Sequence, residues 1–494
     1  MEHIFGLKNL NGEEATIFEL QDAMDKGEIT SRELVMYYMY RIATYDQRGP
    51  KINSVMEINP DAIFIAEALD QERKLVGVRS QLHGIPVLLK GNIETNDKMR
   101  TSAGALALEN HVSSKDAFLV QKLREAGAVI LGKTNMTEWA NGMSSSMWAG
   151  YSSTGGQTTN PYGDHFTGGS STGSAAAVAA NFTAIAVGTE TSASILSPSV
   201  QNAIVGIKPT VGLISRSGVI PWTYSQDTAG PMARTVTDAA ILLGVLTGKD
   251  ESDPATWKNN QSKIDYTTFL DIDGLKKATI GIFRNVPPER YRDIGEYDEG
   301  LFNDAVTKIK DSGANVVEDI EIPSFYREWE FNKMNFEFKH AVDNYLQSLP
   351  SQLPVHTMNE LVEWNEQNAE KALKYGQDSM KNRLQFENQL NNPEYILQSI
   401  TDLYYSQNMG IDYALEKHGL DAILFPSYVG ADICARAGYP SIAVPAGFQE
   451  NGRAFGITFA GKAFSEPTLI RIAFAFEQQT KHRKMPNLKV DYPY

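Results

Sequence analysis

The chain has 494 residues, 42% of them hydrophobic, enough to bury a large core. Its net charge of −15 is spread along the chain, which argues against a nucleic-acid surface, since that needs a basic stripe. The single cysteine, Cys434, excludes an internal disulfide framework, and no uninterrupted apolar run approaches the ~18 residues of a membrane span.

Cys434 lies in ADICARAGYP with no histidine nearby and reads as a small packed residue. The eight histidines form no HxxxH or HExxH pair, so no metal site is expected, and no cofactor. The early acids of MEHIFGLKNLNGEE speak against a signal peptide. A cytoplasmic protein without a membrane anchor is the resulting expectation.

In chain order, residues 15–26 carry apolar side chains at helical spacing. Thr30-Ser-Arg-Glu33 is a capping box that opens a second helix through Ile42, and residues 62–76 form a third. Val87-Leu88-Leu89 reads as a buried strand ending in Lys90. A lysine is ordinarily a solvated surface residue. This one follows an apolar strand directly, and strand ends are where functional groups sit in α/β sheets. A lysine held there can lose its proton and act as a base. Residues 116–127 are predicted as helix and 128–131 as strand, an alternation that indicates an α/β layered fold. Residues 142–159 form a long Ser/Gly/Thr loop of the kind that is often functional.

The densest stretch is FTGGSSTGSAAAVAANFTAIAVGTETSASILSPS, residues 166–199. It holds two serine-bearing loops, a predicted helix over 174–180 and a buried strand over 184–188. Linkers do not run straight into a helix and an apolar strand. Neither a phosphate-binding GxxxxGK[ST] loop nor a GxSxG nucleophile elbow is present. Strands are expected at 203–207, 279–283, 421–426, 440–445 and 456–459, and helices at 236–246, 297–312, 331–346, 358–375, 380–404 and 466–480.

Two serines on neighbouring loops and one strand-end lysine can form a Ser-Ser-Lys relay, in which a neutral amine takes the proton of one serine through the other. At this point the chain resembles the amidase signature family. GIPVLLKGNIET, GKTNMTEWAN, GGQTTNPY, GGSSTGSAAAVAA, GTETSASI, VGIKPTVGLISRSG, SQDTAGPMART and AGYPSIAVPAG follow that family's segments in its order. LVEWNEQN and EFKHAVDNYL resemble the bacterial peptide-amidase branch.

The resemblance implies an α/β fold: one large domain over residues 1–494, with a central mixed β-sheet covered by helices on both faces. The core would span about 70–250 and 420–480, and a helical substrate-shaping insertion about 255–415. It implies a hydrolase that converts a small amide or a C-terminal peptide amide to carboxylate and ammonia, as a monomer or homodimer. Ser194 would be the nucleophile, Ser170 the bridging serine after a cis peptide, and Lys90 the base. The backbone N–H groups of Thr191, Ser192, Ala193 and Ser194 would form the oxyanion hole. Ser171 would support Lys90 by a hydrogen bond, and Asp227 would buttress the loops. Gly142, Ser144 and Ser145 would line the acyl pocket.

Three positions depart from the family pattern. Ala193 stands where the family has glycine, Gly91 where it has aspartate, and Leu196 where it has arginine. Two other readings therefore stand beside the amidase: an amidotransferase-type subunit working on charged transfer RNA, and a non-catalytic binding relative, which Ala193 favours.

Overall fold

The computed structural model describes residues 14–259, 264–288, 291, 295–387 and 389–489. Its strands are β1 (Val55–Ile58), β2 (Pro86–Lys90), β3 (Val129–Thr134), β4 (Tyr151–Ser152), β5 (Gly156–Gln157), β6 (Ile185–Glu190), β7 (Val205–Lys208), β8 (Thr228–Ala233), β9 (Thr279–Ile282), β10 (Asn315–Val317), β11 (Ala422–Pro426), β12 (Ser441–Phe448) and β13 (Ala454–Ala460). Eleven of them make one mixed sheet in the order β1-β3-β2-β6-β8-β7-β12-β13-β11-β9-β10, and β4 and β5 pair separately. The central strands β2, β3, β6, β7 and β8 are buried along their whole length. That is why they read as continuous apolar runs rather than alternating ones.

The helices begin and end where local chemistry says they should. Thr30 caps Ser31–Arg41, its side chain accepting from the Glu33 N–H while the Glu33 carboxylate accepts from the Thr30 N–H. The helices Val236–Leu246 and Glu466–Thr480 match their predicted bounds. The all-small helix Thr172–Ala179 is wholly buried. A Cβ at Gly173 would lie 2.4 Å from the carbonyl oxygens of both Asn135 and Ser54, so only glycine lets this helix come so close to its neighbours.

Three expectations are revised. The helix expected over 380–404 is two helices, Asp378–Arg383 and Pro393–Ser406. Pro393 cannot continue a helix from the preceding turn, and the Asn392 side chain caps the new one by accepting from the Glu394 N–H at 2.9 Å. The helix expected over 358–375 ends at Gln367, with a short turn, Ala369–Ala372, after it. Finally, β8 escapes pattern reading because it contains Gly230 and Pro231, both poor strand residues. Yet β8 lies between β6 and β7, and a Cβ at Gly230 would lie 2.1 Å from the Ile207 carbonyl.

The region 255–415 contributes β9 and β10 as well as helices, and β9 pairs in parallel with β11. One sheet therefore runs through both the expected core and the expected insertion.

Candidate active site

Strands β2 and β6 pair in parallel with Leu89 opposite Val187, which brings Lys90 beside the end of β6. The Lys90 side chain is fully buried. Its Nζ donates to Ser170 Oγ at 2.7 Å, to Thr189 Oγ1 at 2.9 Å and to the Thr189 carbonyl at 3.1 Å. Burial drives its pKa down from 10.5 to about 7, against the opposing pull of the Glu190 and Asp227 carboxylates. A large share of this amine is thus neutral near pH 7.

Ser170 follows a cis peptide from Gly169. The next residue, Ser171, leads into helix Thr172–Ala179, and its N–H donates to the Ser194 carbonyl at 3.1 Å, which keys the two serine loops together. Resemblance assigned Ser171 a hydrogen bond to Lys90. Its hydroxyl instead donates to the Thr189 carbonyl at 2.9 Å and accepts from the Thr189 N–H at 3.1 Å. Ser171 thereby orients Thr189, whose carbonyl and hydroxyl hold the lysine.

Ser194 is 7% exposed and lines a cavity of about 440 Å³. Among the described residues its hydroxyl has no hydrogen-bond partner, Ser170 included, so its proton is not engaged in this state. Ala193, just before it, lies in the left-handed region at φ +64°. This is the backbone conformation that favours the glycine of the family pattern.

Glu190 is the organiser that sequence reading missed. It is 1% exposed, and its Oε2 accepts from the N–H groups of Ile195 at 2.7 Å and Leu196 at 3.0 Å. The Ala193 N–H also supports its ionised form. The four N–H groups from Thr191 to Ser194 are therefore not equivalent. That of Ala193 faces Glu190, while those of Thr191, Ser192 and Ser194 have no protein acceptor among the described residues. The signal was the acid in GTETSASI, one residue past the glycine–threonine turn.

Asp227 ties two loops together. Its Oδ1 accepts from Thr191 Oγ1 at 2.7 Å, and its Oδ2 from the N–H groups of Trp222 at 2.6 Å and Thr223 at 2.9 Å. Burial raises its pKa, opposed by those donors. Ser192 donates to Asp432, which anchors the loop from the other side.

Gly142, Ser144 and Ser145 do not line this cavity. Ala140, Asn141, Met147 and Trp148 do, with Phe166, Trp222, Met334 and Tyr428. Ser144 Oγ donates to Asp378 Oδ1 at 2.5 Å and the Ser145 N–H donates to the same oxygen at 3.1 Å, so the polar groups of the loop are taken up by the helical half. Trp139, Ala140 and Asn141 form a left-handed turn, with φ of 50°, 50° and 72°, that presents the last two to the cavity. Among the described residues, no group of three His, Cys, Asp or Glu is placed to hold a metal, and no helix is long and apolar enough to cross a membrane. Cys434 is buried.

A family model described as Amidase matches residues 33–470. The chain belongs to the amidase family. It is similar to a probable amidase of Arabidopsis thaliana, 39% identical over 487 residues, which cover 96% of this chain and 91% of the relative. The solved structure of a peptide amidase from Stenotrophomonas maltophilia is 39% identical and superposes with a TM-score of 0.90, over 98% of this chain and 100% of that one. A glutamyl-tRNA(Gln) amidotransferase subunit from Acinetobacter baumannii (strain AYE) is 37% identical over 322 residues, 63% of this chain and 62% of its own length. This amidase is an amide-hydrolysing enzyme with a single sheet-centred domain, as the motifs implied.

Proposed function

We propose that this amidase hydrolyses a carboxamide, either a small amide or the C-terminal amide of a peptide, through an acyl-enzyme on Ser194. Ser194 Oγ attacks the carbonyl carbon. Its proton passes to Ser170, and the Ser170 proton passes to the neutral amine of Lys90. The oxyanion that forms is met by the unengaged N–H groups of Thr191, Ser192 and Ser194. When the C–N bond breaks, the proton returns from Lys90 through Ser170 to the departing nitrogen, which leaves as ammonia. Water then attacks the ester by the same relay, giving carboxylate and free Ser194.

The observation that carries this reading is the buried Lys90 amine, hydrogen-bonded to Ser170 at 2.7 Å, beside a cavity that Ser194 lines. The region of about 255–415 shapes the substrate site in this reading. Met334 lines the cavity, Glu337 accepts from the N–H groups of Tyr224 and Ser225 at 3.0 and 3.1 Å, and Asp378 holds Ser144 and Ser145. The match to the amidotransferase chain covers less of either protein than the match to the peptide amidase, which favours hydrolysis. The non-catalytic reading rested on Ala193, and that residue takes the left-handed turn with its methyl group in place.

Intact mass after exposure to a small fluorophosphonate tests the nucleophile without knowledge of the substrate. One phosphonyl group should add to the parent and none to Ser194→Ala. Equal labelling of both would place the nucleophile elsewhere. Ammonia release from a panel of primary amides then tests the reaction itself.

A further inference from the structure

The cavity at Ser194 continues past two aromatic side chains into a larger hollow. Trp148 and Phe166 line both spaces. Their rings meet edge to face at 5.8 Å, and Trp148 is 53% exposed. The hollow measures about 920 Å³ against about 440 Å³ for the cavity at Ser194. Residues 157–167 make most of its wall. That wall is pinned from behind: the Thr159 N–H donates to the Ile52 carbonyl at 2.9 Å, and Asn160 Nδ2 donates to the Gln201 carbonyl at 2.9 Å.

A third space, of about 190 Å³, adjoins the cavity on its Lys90 side and shares Ala140, Thr191 and Trp222 with it. It is bounded by Asp227 and by the ion pair of Arg216 with Asp253 at 2.6 Å.

The reaction itself says which side of a substrate needs room. A primary amide loses ammonia, a single heavy atom, so a space of several hundred Å³ can serve only the acyl side. The third space is below the ~300–1,000 Å³ usual for organic ligands, and the hollow lies within that range. An acyl group that outgrows the cavity therefore extends past Trp148 and Phe166. If the acyl group is a peptide, the residue bearing the amide occupies the cavity. The residues before it run away from Ser194 in the N-terminal direction, each advancing ~3.5 Å. The aromatic pair offers flat apolar faces at the crossing point. Beyond it the walls carry Asp164, His165 and Lys489, so neither sign of charge is selected.

We propose that this hollow is the subsite for the residues preceding the terminal amide, and that Trp148 and Phe166 make the enzyme favour peptide amides over single-residue amides. The proposal rests on the amide-hydrolase reading above and adds to it where the chain lies and how its length is read.

Binding to the Ser194→Ala variant, measured by calorimetry, tests the subsite without turnover. The probes are an N-acetyl amino-acid amide and an N-acetyl tripeptide amide with the same terminal residue. The tripeptide amide should bind about tenfold or more tightly, since remote contacts supply binding energy that a truncated ligand lacks. Adding Trp148→Ala, which removes the gate, or Thr159→Trp, which fills the hollow, should bring the ratio of the two affinities toward one, with each variant's melting temperature measured beside it. Equal affinity for both amides in Ser194→Ala overturns the subsite, and so does a ratio that neither second substitution moves. Length-dependent binding without ammonia release by the parent enzyme would instead sink the hydrolase reading and leave the subsite standing.

Discussion

Lys90 ends an apolar strand, and its chemistry follows from that position. Burial favours the uncharged amine, so its pKa falls to about 7 although Glu190 and Asp227 pull it upward. The working form in the proposed relay is the deprotonated one. Activity should therefore rise with pH as Lys90 loses its proton. kcat/KM should climb about tenfold per pH unit below pH ~7 and level off above it. A profile flat from pH 5 to 9 would remove Lys90 as the base. Ala193 sits at φ +64°, which a small Cβ tolerates and a β-branched one does not. Ala193→Val should slow fluorophosphonate labelling of Ser194 by about tenfold or more, because a left-handed backbone costs an L-residue ~1–2 kcal/mol even before branching is added. Ala193→Gly should label at least as fast as the parent. Parent-like labelling of the valine variant would mean that position 193 does not hold this turn in solution.

At the scale of elements, the loop between β6 and helix Leu196–Gln201 is held by one carboxylate. Glu190 closes β6 and accepts two N–H groups from the start of the helix. Glu190→Ala would leave both buried donors unpaired, at ~1–3 kcal/mol each, so a lower melting temperature and lost labelling are expected. Glu190→Gln keeps an oxygen acceptor and should fold. It also removes a negative charge that favours protonated Lys90, so the rising limb of the pH profile should move to lower pH. A limb that stays in place would show that the carboxylate holds the loop without acting on the lysine. The site was only partly legible at this scale. Lys90, Ser170 and Ser194 stand in recognisable motifs. The roles of Glu190 and Thr189 come from contacts between strands, which no local motif records. The acyl-pocket wall was misplaced to Gly142, Ser144 and Ser145 because their partner, Asp378, lies more than 230 residues further along the chain.

At the scale of the molecule, the sheet crosses the expected boundary between core and insertion. β9 and β10 come from the region of about 255–415 and pair onward to β11. Helix Asn332–Gln347 packs Phe338, Val342 and Leu346 against Trp139 and Met143, so the second half closes over the loop that lines the cavity. Neither half can keep its apolar surface covered without the other. Differential scanning calorimetry should accordingly show one endotherm, with the capacity for fluorophosphonate labelling lost across the same temperatures. Two resolved transitions would mean that the insertion unfolds by itself. The wall of the hollow at residues 157–167 likewise depends on distant segments, through the carbonyls of Ile52 and Gln201.

The sequence by itself determined the family, the α/β class, most buried strands and helix caps, and the three side chains proposed to do the chemistry. These are local properties: apolar runs, capping boxes and short motifs are written in neighbouring residues. Only the tertiary structure decided that β8 lies inside the sheet, that Ser171 acts through Thr189, that Glu190 holds the nucleophile loop, and that the cavity opens past Trp148 and Phe166. Each of these depends on which backbone groups meet across the sheet or between loops far apart in the chain, and hydrogen-bond pairing and close packing of that kind leave no periodic trace in a linear sequence.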